Sequence, residues 1–272
     1  MRPLVSVIVP TRNSQKYLRR CLGSLSQQTW SDLEIIVVDN GSSDMTVEIA
    51  KEFTDLVFES GPERSGQINF GVKRSHGLYV YRVDSDFYVP PSVVDECLCM
   101  CVDVLDAVVV HNTPDVSSGW IARARKFEID MYKGSYLHTA ARFLRRELFD
   151  AVGGYSMNIT AGEDYDFQNR LTMAGARFHT IGSDVVHLGE PASLVELGRK
   201  YWFYGQDFRN FTRLYPLGQS SQLNIVRPEL FGNGVEFVIH PLLGVSSLGL
   251  YMFKYFVGGI GYVTQAIRDG FS

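Results

Sequence analysis

Short, almost unbroken apolar runs, each followed by a stretch with helical spacing, limit this chain to very few folds. VSVIVP (5–10) and LEIIVVD (33–39) are the first two runs. Later runs share their composition and length: DLVFE (55–59), LYVYRVD (78–84) and DAVVVHN (106–112). A strand with one solvated face alternates polar and apolar residues, whereas a continuous apolar strand is buried on both faces. The sequence therefore predicts an α/β fold, a mostly parallel sheet with helices on both faces.

Composition restricts the classes of partner. The chain has 272 residues, is 45% hydrophobic and 21% charged, and carries a formal net charge of -4. This length allows one or two domains, and the net charge offers no basic face for a nucleic acid. The apolar stretch near the N-terminus is too short for a cleaved leader and is predicted to be the first core strand. We therefore expect the catalytic part to be cytoplasmic.

Polar loops follow three of the predicted strands. They are Thr11–Asn13, Asp39–Ser42 and Asp84–Asp86. In parallel sheets, ligands bind beyond the carboxyl ends of the strands, where such loops meet. Two carboxylates crowded at one strand end repel each other, and a divalent cation that bridges to an anionic substrate would relieve that repulsion. Because the chain has neither GxxxxGK[ST] nor a GxGxxG after a strand, the pattern favours a metal-held diphosphate over P-loop or dinucleotide chemistry.

A second acidic cluster lies in GEDYDF (162–167). If this segment is helical, Glu163 and Asp166 share a face by their i, i+3 spacing, and Asp164 lies beside them. An acidic first turn is also favoured by the helix dipole alone, so the pattern leaves a purely structural interpretation open.

Five segments together resemble a known family. VSVIVPTRN, LEIIVVDNGSSDMT, VDSDF, FDAVGGY and GEDYDFQNRL occur in the order and rough spacing of the family 2 glycosyltransferases. The resemblance covers roughly residues 4–190. It implies a GT-A fold, a nucleoside-diphosphate sugar as donor, Mn²⁺ or Mg²⁺ as cofactor, and transfer with inversion at the anomeric carbon.

The resemblance also implies roles for individual residues. Asp164 corresponds to the general base of the family, and Asp86 to its metal ligand, with Asp84 and His187 as further candidates for the metal. The donor pocket is predicted to comprise eight residues: Pro10, Thr11, Asn13, Asp39, Gln67, Asp84, Ser85 and Glu163. A turn role for Asp39 and a core or surface role for His187 are the alternatives.

The character of the sequence changes after residue 192. Residues 1–192 carry 19 Lys/Arg and 25 Asp/Glu, whereas residues 193–272 carry 7 and 5. The segment from Val195 to Pro216 mixes basic and aromatic residues, as in helices at a membrane interface. Residues 235–267 are mostly apolar but contain Pro241 and a Gly-rich stretch, which predicts short membrane-associated helices or a re-entrant hairpin. We expect a catalytic domain at 1–192 and a membrane-associated helical region at 193–272.

These observations predict an inverting, metal-dependent transferase at the cytoplasmic face of a membrane. It would move one sugar to a lipid-linked acceptor, such as a polyprenyl or dolichyl phosphate, or to another glycan. Similarity to membrane mannosyltransferases favours GDP-mannose slightly over UDP-sugars. A nucleotidyltransferase that uses the acidic pair for two-metal chemistry is the alternative, although a basic, Gly-rich triphosphate loop is missing after the first strand.

Overall fold

The computed structural model of the protein describes residues 4–136, 139–215 and 234–270. The chain divides into two compact units that are both discontinuous in sequence. The first comprises residues 1–112, 139–157 and 163–189, and the second comprises 113–138, 158–162 and 190–272. The division into domains at 1–192 and 193–272 stays a prediction.

The first unit is built on a mixed, mostly parallel sheet. The described strands are β1 Val5–Thr11, β2 Leu33–Asp39, β3 Val57–Glu59, β4 Tyr79–Arg82, β5 Phe87–Tyr88, β6 Asp106–Val109, β7 Asn112–Pro114, β8 Phe143–Arg145, β9 Arg177–Thr180 and β10 Val185–His187. Seven of them form the main sheet in the order β3-β2-β1-β4-β8-β6-β9. β8 is antiparallel to both β4 and β6, whereas the other pairs of this sheet are parallel. The α/β fold with a mostly parallel sheet is therefore confirmed.

Helices cover both faces of this sheet. In the first unit they are α1 Gln15–Ser26, α2 Thr46–Lys51, α3 Arg64–Arg74, α4 Val93–Met100, α6 Arg146–Ala151 and α7 Glu163–Met173. Val7 and Val9 of β1 join a core with residues of α1 and α4, while Ile8 between them joins a core with residues of α3 and α7. Successive side chains of a strand point to opposite faces, so a strand buried on both faces must be apolar throughout.

The second unit contains four described α-helices. They are α5 Trp120–Asp130, α8 Leu194–Leu214, α9 Gly234–Ile239 and α10 Pro241–Gly270, and a short 3₁₀ helix at Val116–Ser118 precedes α5. Pro241 occupies the first position of α10, where its missing N–H has no helical partner to lose. α10 continues unbroken through Gly258, Gly259 and Gly261. The predicted re-entrant hairpin or short helices are therefore replaced, over Pro241–Gly270, by one helix of 30 residues.

Glycines let α8 and α10 approach each other closely. A Cβ atom at Gly205 of α8 would lie 2.0 Å from the carbonyl oxygen of Gly258, which is backbone and cannot rotate away. We expect Gly205→Ala to lower the free energy of unfolding by about 1–3 kcal/mol, the usual effect of overpacking. Gly249→Ala is the matched control, because a Cβ at this position in α10 meets nothing within 4 Å. Thermal denaturation of both variants measures the difference, and equal stability would contradict the close approach.

Candidate active site

Asp39 is held at the carboxyl end of β2 by hydrogen bonds. Thr11, directly opposite it on β1, donates from Oγ1 over 3.0 Å, and Ser42 donates from its backbone N over 2.7 Å. The Ser42 hydroxyl donates as well, and Asp39 is only 3% exposed. Asp39 therefore organises the turn after β2. A contact between Asp39 and a nucleotide stays a prediction.

The side-chain amides of Asn13 and Gln67 fix the turn after β1. Asn13 has a left-handed backbone, with φ of 49°, and its Oδ1 accepts a hydrogen bond from the Ser43 backbone N over 2.9 Å. Gln67 of α3 donates from Nε2 to the carbonyls of Thr11 and Val38, over 2.8 and 2.6 Å. The predicted donor-pocket residues Thr11, Asn13, Asp39 and Gln67 are thus brought together by a network that links β1, β2 and α3.

Two other predicted donor-pocket residues lie on the neighbouring strand ends. Pro10 is buried in β1 and pairs in register with Val38. The Ser85 hydroxyl, after β4, lies 2.9 Å from the hydroxyl of Ser14, which begins the α1 turn. The loops after β1 and β4 are therefore in direct contact at the carboxyl edge of the sheet.

Asp84 faces three arginines. Its Oδ2 is 3.1 Å from Nη1 of Arg142 and 3.5 Å from Nη2 of Arg82, and its Oδ1 is 3.4 Å from Nη1 of Arg64. Burial disfavours the charged form of Asp84, but the guanidinium groups of Arg82, Arg142 and Arg64 hold its pKa well below the ordinary range. Asp84 is therefore an ionised carboxylate that faces cations. These cations offset its repulsion from Asp86, two residues away.

Asp164 lies on the other side of the same arginines. Both of its oxygens are bound by the Arg82 guanidinium, with Nη2 at 3.2 Å from Oδ2, and Nη2 of Arg64 is 3.6 Å from Oδ2. Its side chain is 27% exposed, whereas that of Arg82 is 2% exposed. Burial opposes ionisation, but Arg82, Arg64 and Arg142 lower the pKa of Asp164. Asp164 is thus an oriented, ionised carboxylate that solvent and a substrate can still reach.

Glu163 pairs with Arg64 at the start of α7. Arg64 Nη2 donates to its Oε1, and the Glu163 side chain is 6% exposed. Burial raises the pKa of Glu163, and the negative charge of Asp164 raises it further, whereas Arg64 lowers it. The pKa values of adjacent carboxyl groups are therefore shifted in opposite directions, which is typical of functional sites.

Asp86 and His187 form a second, separate pair. His187 Nε2 lies 3.0 Å from Oδ2 of Asp86, and the two side chains are 13% and 32% exposed. The antiparallel pairing of β5 with β10 sets His187 opposite Phe87, directly after Asp86. A Cβ at Gly189 would lie 2.2 Å from Asp86 Oδ2, so this approach requires glycine. The structure therefore brings together two of the three predicted metal ligands.

The Asp86–His187 pair fits an open metal site rather than a closed one. Among the described residues, no group of three or more His, Cys, Asp or Glu side chains is arranged to hold a metal ion. One carboxylate oxygen and one imidazole nitrogen suit a divalent ion that takes its other ligands from phosphate oxygens and water. The pair would thus hold a metal chiefly when a diphosphate is bound.

Arg82 and Arg142 were not identified as site residues from the sequence, and Arg64 was not distinguished from a surface arginine. β8 runs antiparallel to β4, and the backbone N of Arg82 donates to the Arg142 carbonyl over 2.9 Å. The Nε atoms of both arginines are buried with no hydrogen-bond partner among the described residues. The signal in the sequence for Arg82 was its position inside the apolar run YVYRVD, since a buried charge needs a partner.

Comparisons with known proteins indicate the family of the chain. Residues 6–161 match the model of the family described as glycosyl transferase family 2. Chondroitin synthase of Escherichia coli is 27% identical over 191 residues, 65% of this chain and 28% of that protein. Glycosyltransferase AglE of Haloferax volcanii is 26% identical over 224 residues, 75% of this chain and 72% of AglE. The chain spans only 16% to 33% of the length of several other curated relatives.

Solved structures share the fold at low sequence identity. The mannosyltransferase PcManGT from Pyrobaculum calidifontis, in complex with GDP-Man and Mn²⁺, superposes with a TM-score of 0.68 at 18% identity and covers 97% of this chain and 88% of its own. Residues 1–349 of TarS from S. aureus, in complex with UDP-GlcNAc, give a TM-score of 0.55 at 17% identity, with 98% and 92% covered. The predicted GT-A fold is therefore confirmed. Because the family model matches more than half of the chain, this protein belongs to glycosyl transferase family 2.

Proposed function

We propose that the protein is an inverting, metal-dependent glycosyltransferase that moves one sugar from a nucleoside-diphosphate donor to an acceptor. One observation carries this proposal. At the carboxyl edge of the sheet, Asp86 lies 3.0 Å from His187, and Arg82 holds the carboxylate of Asp164, whose pKa is lowered. Transfer of a sugar needs both features, one for the leaving diphosphate and one for the attacking oxygen.

Asp86 and His187 would hold the divalent ion, and Asp84 is the third candidate ligand. A bound ion would neutralise negative charge that develops on the departing diphosphate. Asp84 is 17% exposed on its side chain and also holds Arg142 and Arg82 in position. These cations lie at the same strand end and would favour an anionic donor.

Asp164 would act on the acceptor. As the acceptor oxygen forms a bond to the anomeric carbon, the bond from that carbon to the diphosphate oxygen breaks, and the hydroxyl proton passes to Asp164. Attack from the face opposite the leaving group inverts the anomeric configuration. Arg82 binds both oxygens of Asp164 and thereby keeps it ionised and oriented for this transfer.

The donor is proposed to be GDP-mannose, ahead of the UDP-sugars. Support comes from the similarity in fold to PcManGT, whose structure contains GDP-Man and Mn²⁺. The acceptor is proposed to be lipid-linked, at the cytoplasmic face of a membrane. One described helix, Pro241–Gly270, is long and apolar enough to cross a membrane, and only 22% of its most apolar stretch is buried, unlike a core helix.

Thermal denaturation with nucleotides tests the donor site. The protein is heated with and without Mn²⁺ in the presence of GDP, UDP, GDP-mannose, UDP-glucose or UDP-N-acetylglucosamine. A ligand at a hundredfold its Kd should stabilise the folded state by about 2.7 kcal/mol. We expect metal-dependent stabilisation by guanine nucleotides. Stabilisation by UDP and its sugars alone would overturn the donor assignment, and no response to any of them would overturn the donor site.

Replacing Asp86 tests the metal role in the same assay. Asp86→Ala is expected to abolish the Mn²⁺-dependent part of the stabilisation by nucleotide, because it removes one of two protein ligands. Asp150→Ala is the matched control, since Asp150 lies on α6 with a 62% exposed side chain. Unchanged Mn²⁺-dependent affinity in Asp86→Ala would remove Asp86 from the metal site.

A further inference from the structure

The outer face of α10 is apolar along most of its length. Its exposed residues between 242 and 267 all lack charge and hydrogen-bonding side chains: Leu242, Val245, Leu248, Gly249, Met252, Phe256, Gly259, Ile260, Val263 and Ile267. At about 1.5 Å per residue, this apolar strip extends for roughly 38 Å. Large exposed apolar patches of this kind mark contact surfaces, since soluble monomers rarely carry them.

The opposite face of α10 holds a buried ion pair. Lys254, near the middle of the helix, donates from Nζ to both carboxylate oxygens of Glu128 on α5, over 2.7 and 2.5 Å. The two residues are 8% and 4% exposed, and the rings of Tyr201 and Tyr251 flank the ammonium group. The centre of the inner face of α10 therefore packs against protein, and the charge of Lys254 is neutralised there by Glu128.

α8 runs beside α10 through the second half of that helix. Contacts extend from Gly198 against Phe253 to an ion pair between Arg213 and Asp269 at 3.5 Å. α8 carries further charged residues, among them Glu196, Arg199 and Lys200. If α10 crossed a bilayer, α5 and α8 would be drawn into the hydrocarbon with it, together with these charges and with Lys126 and Asp130 of α5. Charged side chains at that depth are strongly unfavourable.

We propose that α10 lies in the plane of the membrane surface, with its apolar strip inserted among anionic phospholipids and its inner face on α5 and α8. Amphipathic helices of this length insert one face at the boundary between headgroups and acyl chains. The formal charge of residues 193–272 is +2, from 7 Lys/Arg and 5 Asp/Glu, against -6 for residues 1–192. A second copy fits the strip less well, because stable protein interfaces include hydrogen-bonding side chains. This inference deepens the proposed function, and it rests on the lipid-linked acceptor proposed there.

Flotation with vesicles tests the lipid partner. The full-length protein is mixed with vesicles of phosphatidylcholine and phosphatidylglycerol at a ratio of about 3:1, which present an anionic surface. Neither donor nor metal is added. Met252→Glu, at a residue 66% exposed on the strip, is expected to weaken binding by about tenfold or more. Met173→Glu is the matched control, since Met173 is 84% exposed on α7 of the first unit. Equal binding of both variants would overturn the proposal.

Depth measurement separates an in-plane helix from a spanning one. Cys99 is exposed, whereas Cys21, Cys97 and Cys101 are buried, so Cys99→Ser leaves an introduced cysteine as the reactive thiol. A fluorophore is attached at Leu242→Cys, Phe256→Cys or Ile267→Cys and quenched by lipids brominated at shallow or deep positions. We expect the same shallow depth at all three sites.

Two other outcomes of the depth measurement would overturn the proposal. A deep position for residue 256 with shallow ends would show a spanning helix. Protection of all three sites in a dimer, measured by sedimentation, with no quenching by lipid, would show that a second copy covers the strip. Because neither experiment involves sugar transfer, failure here leaves the donor-site test of the proposed function unaffected.

Discussion

Asp164→Asn is expected to reduce the rate of sugar transfer to a hydroxyl acceptor by about 10²–10⁴-fold, the usual contribution of a general base. The amide cannot take the proton, although it keeps the size and shape of the carboxylate. Donor affinity should change little, because the proposed metal ligands, Asp86 and His187, are unchanged in this variant. Steady-state transfer rates and nucleotide-dependent thermal shifts, measured on the same preparation, distinguish the two effects.

Asp166→Asn is the matched control for this substitution. Asp166 lies two residues further along α7, where it pairs with Arg170 at 2.7 Å. Its replacement should affect stability but not the chemical step. Normal transfer to a hydroxyl acceptor by Asp164→Asn would contradict the base assignment.

The same variant distinguishes the two proposed acceptor classes. A lipid phosphate is largely ionised near pH 7, since its second pKa is about 6, and it needs no base before it attacks. A sugar hydroxyl carried by a lipid does need one. Loss of transfer by Asp164→Asn with both kinds of acceptor would restrict Asp164 to orienting the acceptor, whereas loss with the hydroxyl acceptor alone supports the base role.

Arg82→Met is expected to lower the free energy of unfolding by about 3–5 kcal/mol, the range for breaking a buried ion pair from one side. Arg82 is 2% exposed and contacts Asp84 and Asp164, so its loss removes from both carboxylates the most deeply buried of the three site arginines. Chemical denaturation measures the change. Arg19→Met is the control, because Arg19 pairs with Glu52 and the two side chains are 58% and 49% exposed.

A double-mutant cycle isolates the contact between Arg82 and Asp164. Because Asp164→Asn removes the charge that loses its Arg82 partner in Arg82→Met, the double variant should be more stable than the sum of the single effects predicts. Strict additivity would show that the two side chains do not interact energetically.

Arg82 should also set the pH range of transfer. Arg82 and its neighbours lower the pKa of Asp164, so removing the cation raises that pKa towards its ordinary value. The base must be ionised, and the acid-side loss of activity in Arg82→Met is therefore expected at a higher pH than in the parent protein. An unchanged profile would show that Asp164 is not the group that titrates.

The long, buried elements could be predicted from the sequence. LEIIVVD coincides with β2, Leu33–Asp39, and VSVIVP with β1 apart from the final Thr11. β1 is buried along its whole length and β2 is buried from Ile36 to Asp39, so the continuous apolar composition of these stretches specifies them. The composition of SVVDECLCMCVDVL (92–105) indicates a helix over the whole stretch, but α4 ends at Met100. Asp106 Oδ2 accepts hydrogen bonds from the backbone N of Val102 and Asp103, which replaces the next helical turn.

The arginine part of the site could not be predicted in the same way. β8 has three residues and no pattern that distinguishes it from a loop, yet its antiparallel pairing with β4 places Arg142 beside Arg82. The contact depends on register between distant segments, which periodicity does not encode. The sequence indicated the acidic residues because they lie close together along the chain. It left Arg64 and Arg142 unassigned because they are 20 and 58 residues from Asp84, and Arg82 because it is 82 residues from Asp164.

The candidate site is assembled late along the chain. Asp84 meets Arg142 across 58 residues, Arg82 meets Asp164 across 82, and Asp86 meets His187 across 101. Domains generally form from the N-terminus first during synthesis. A nascent chain from which β1 to β5 have emerged therefore holds Asp84 and Asp86 but neither Asp164 nor His187. Ability to bind metal and nucleotide should appear only after residue 189 leaves the ribosome, so ligand binding reports completion of the whole first unit.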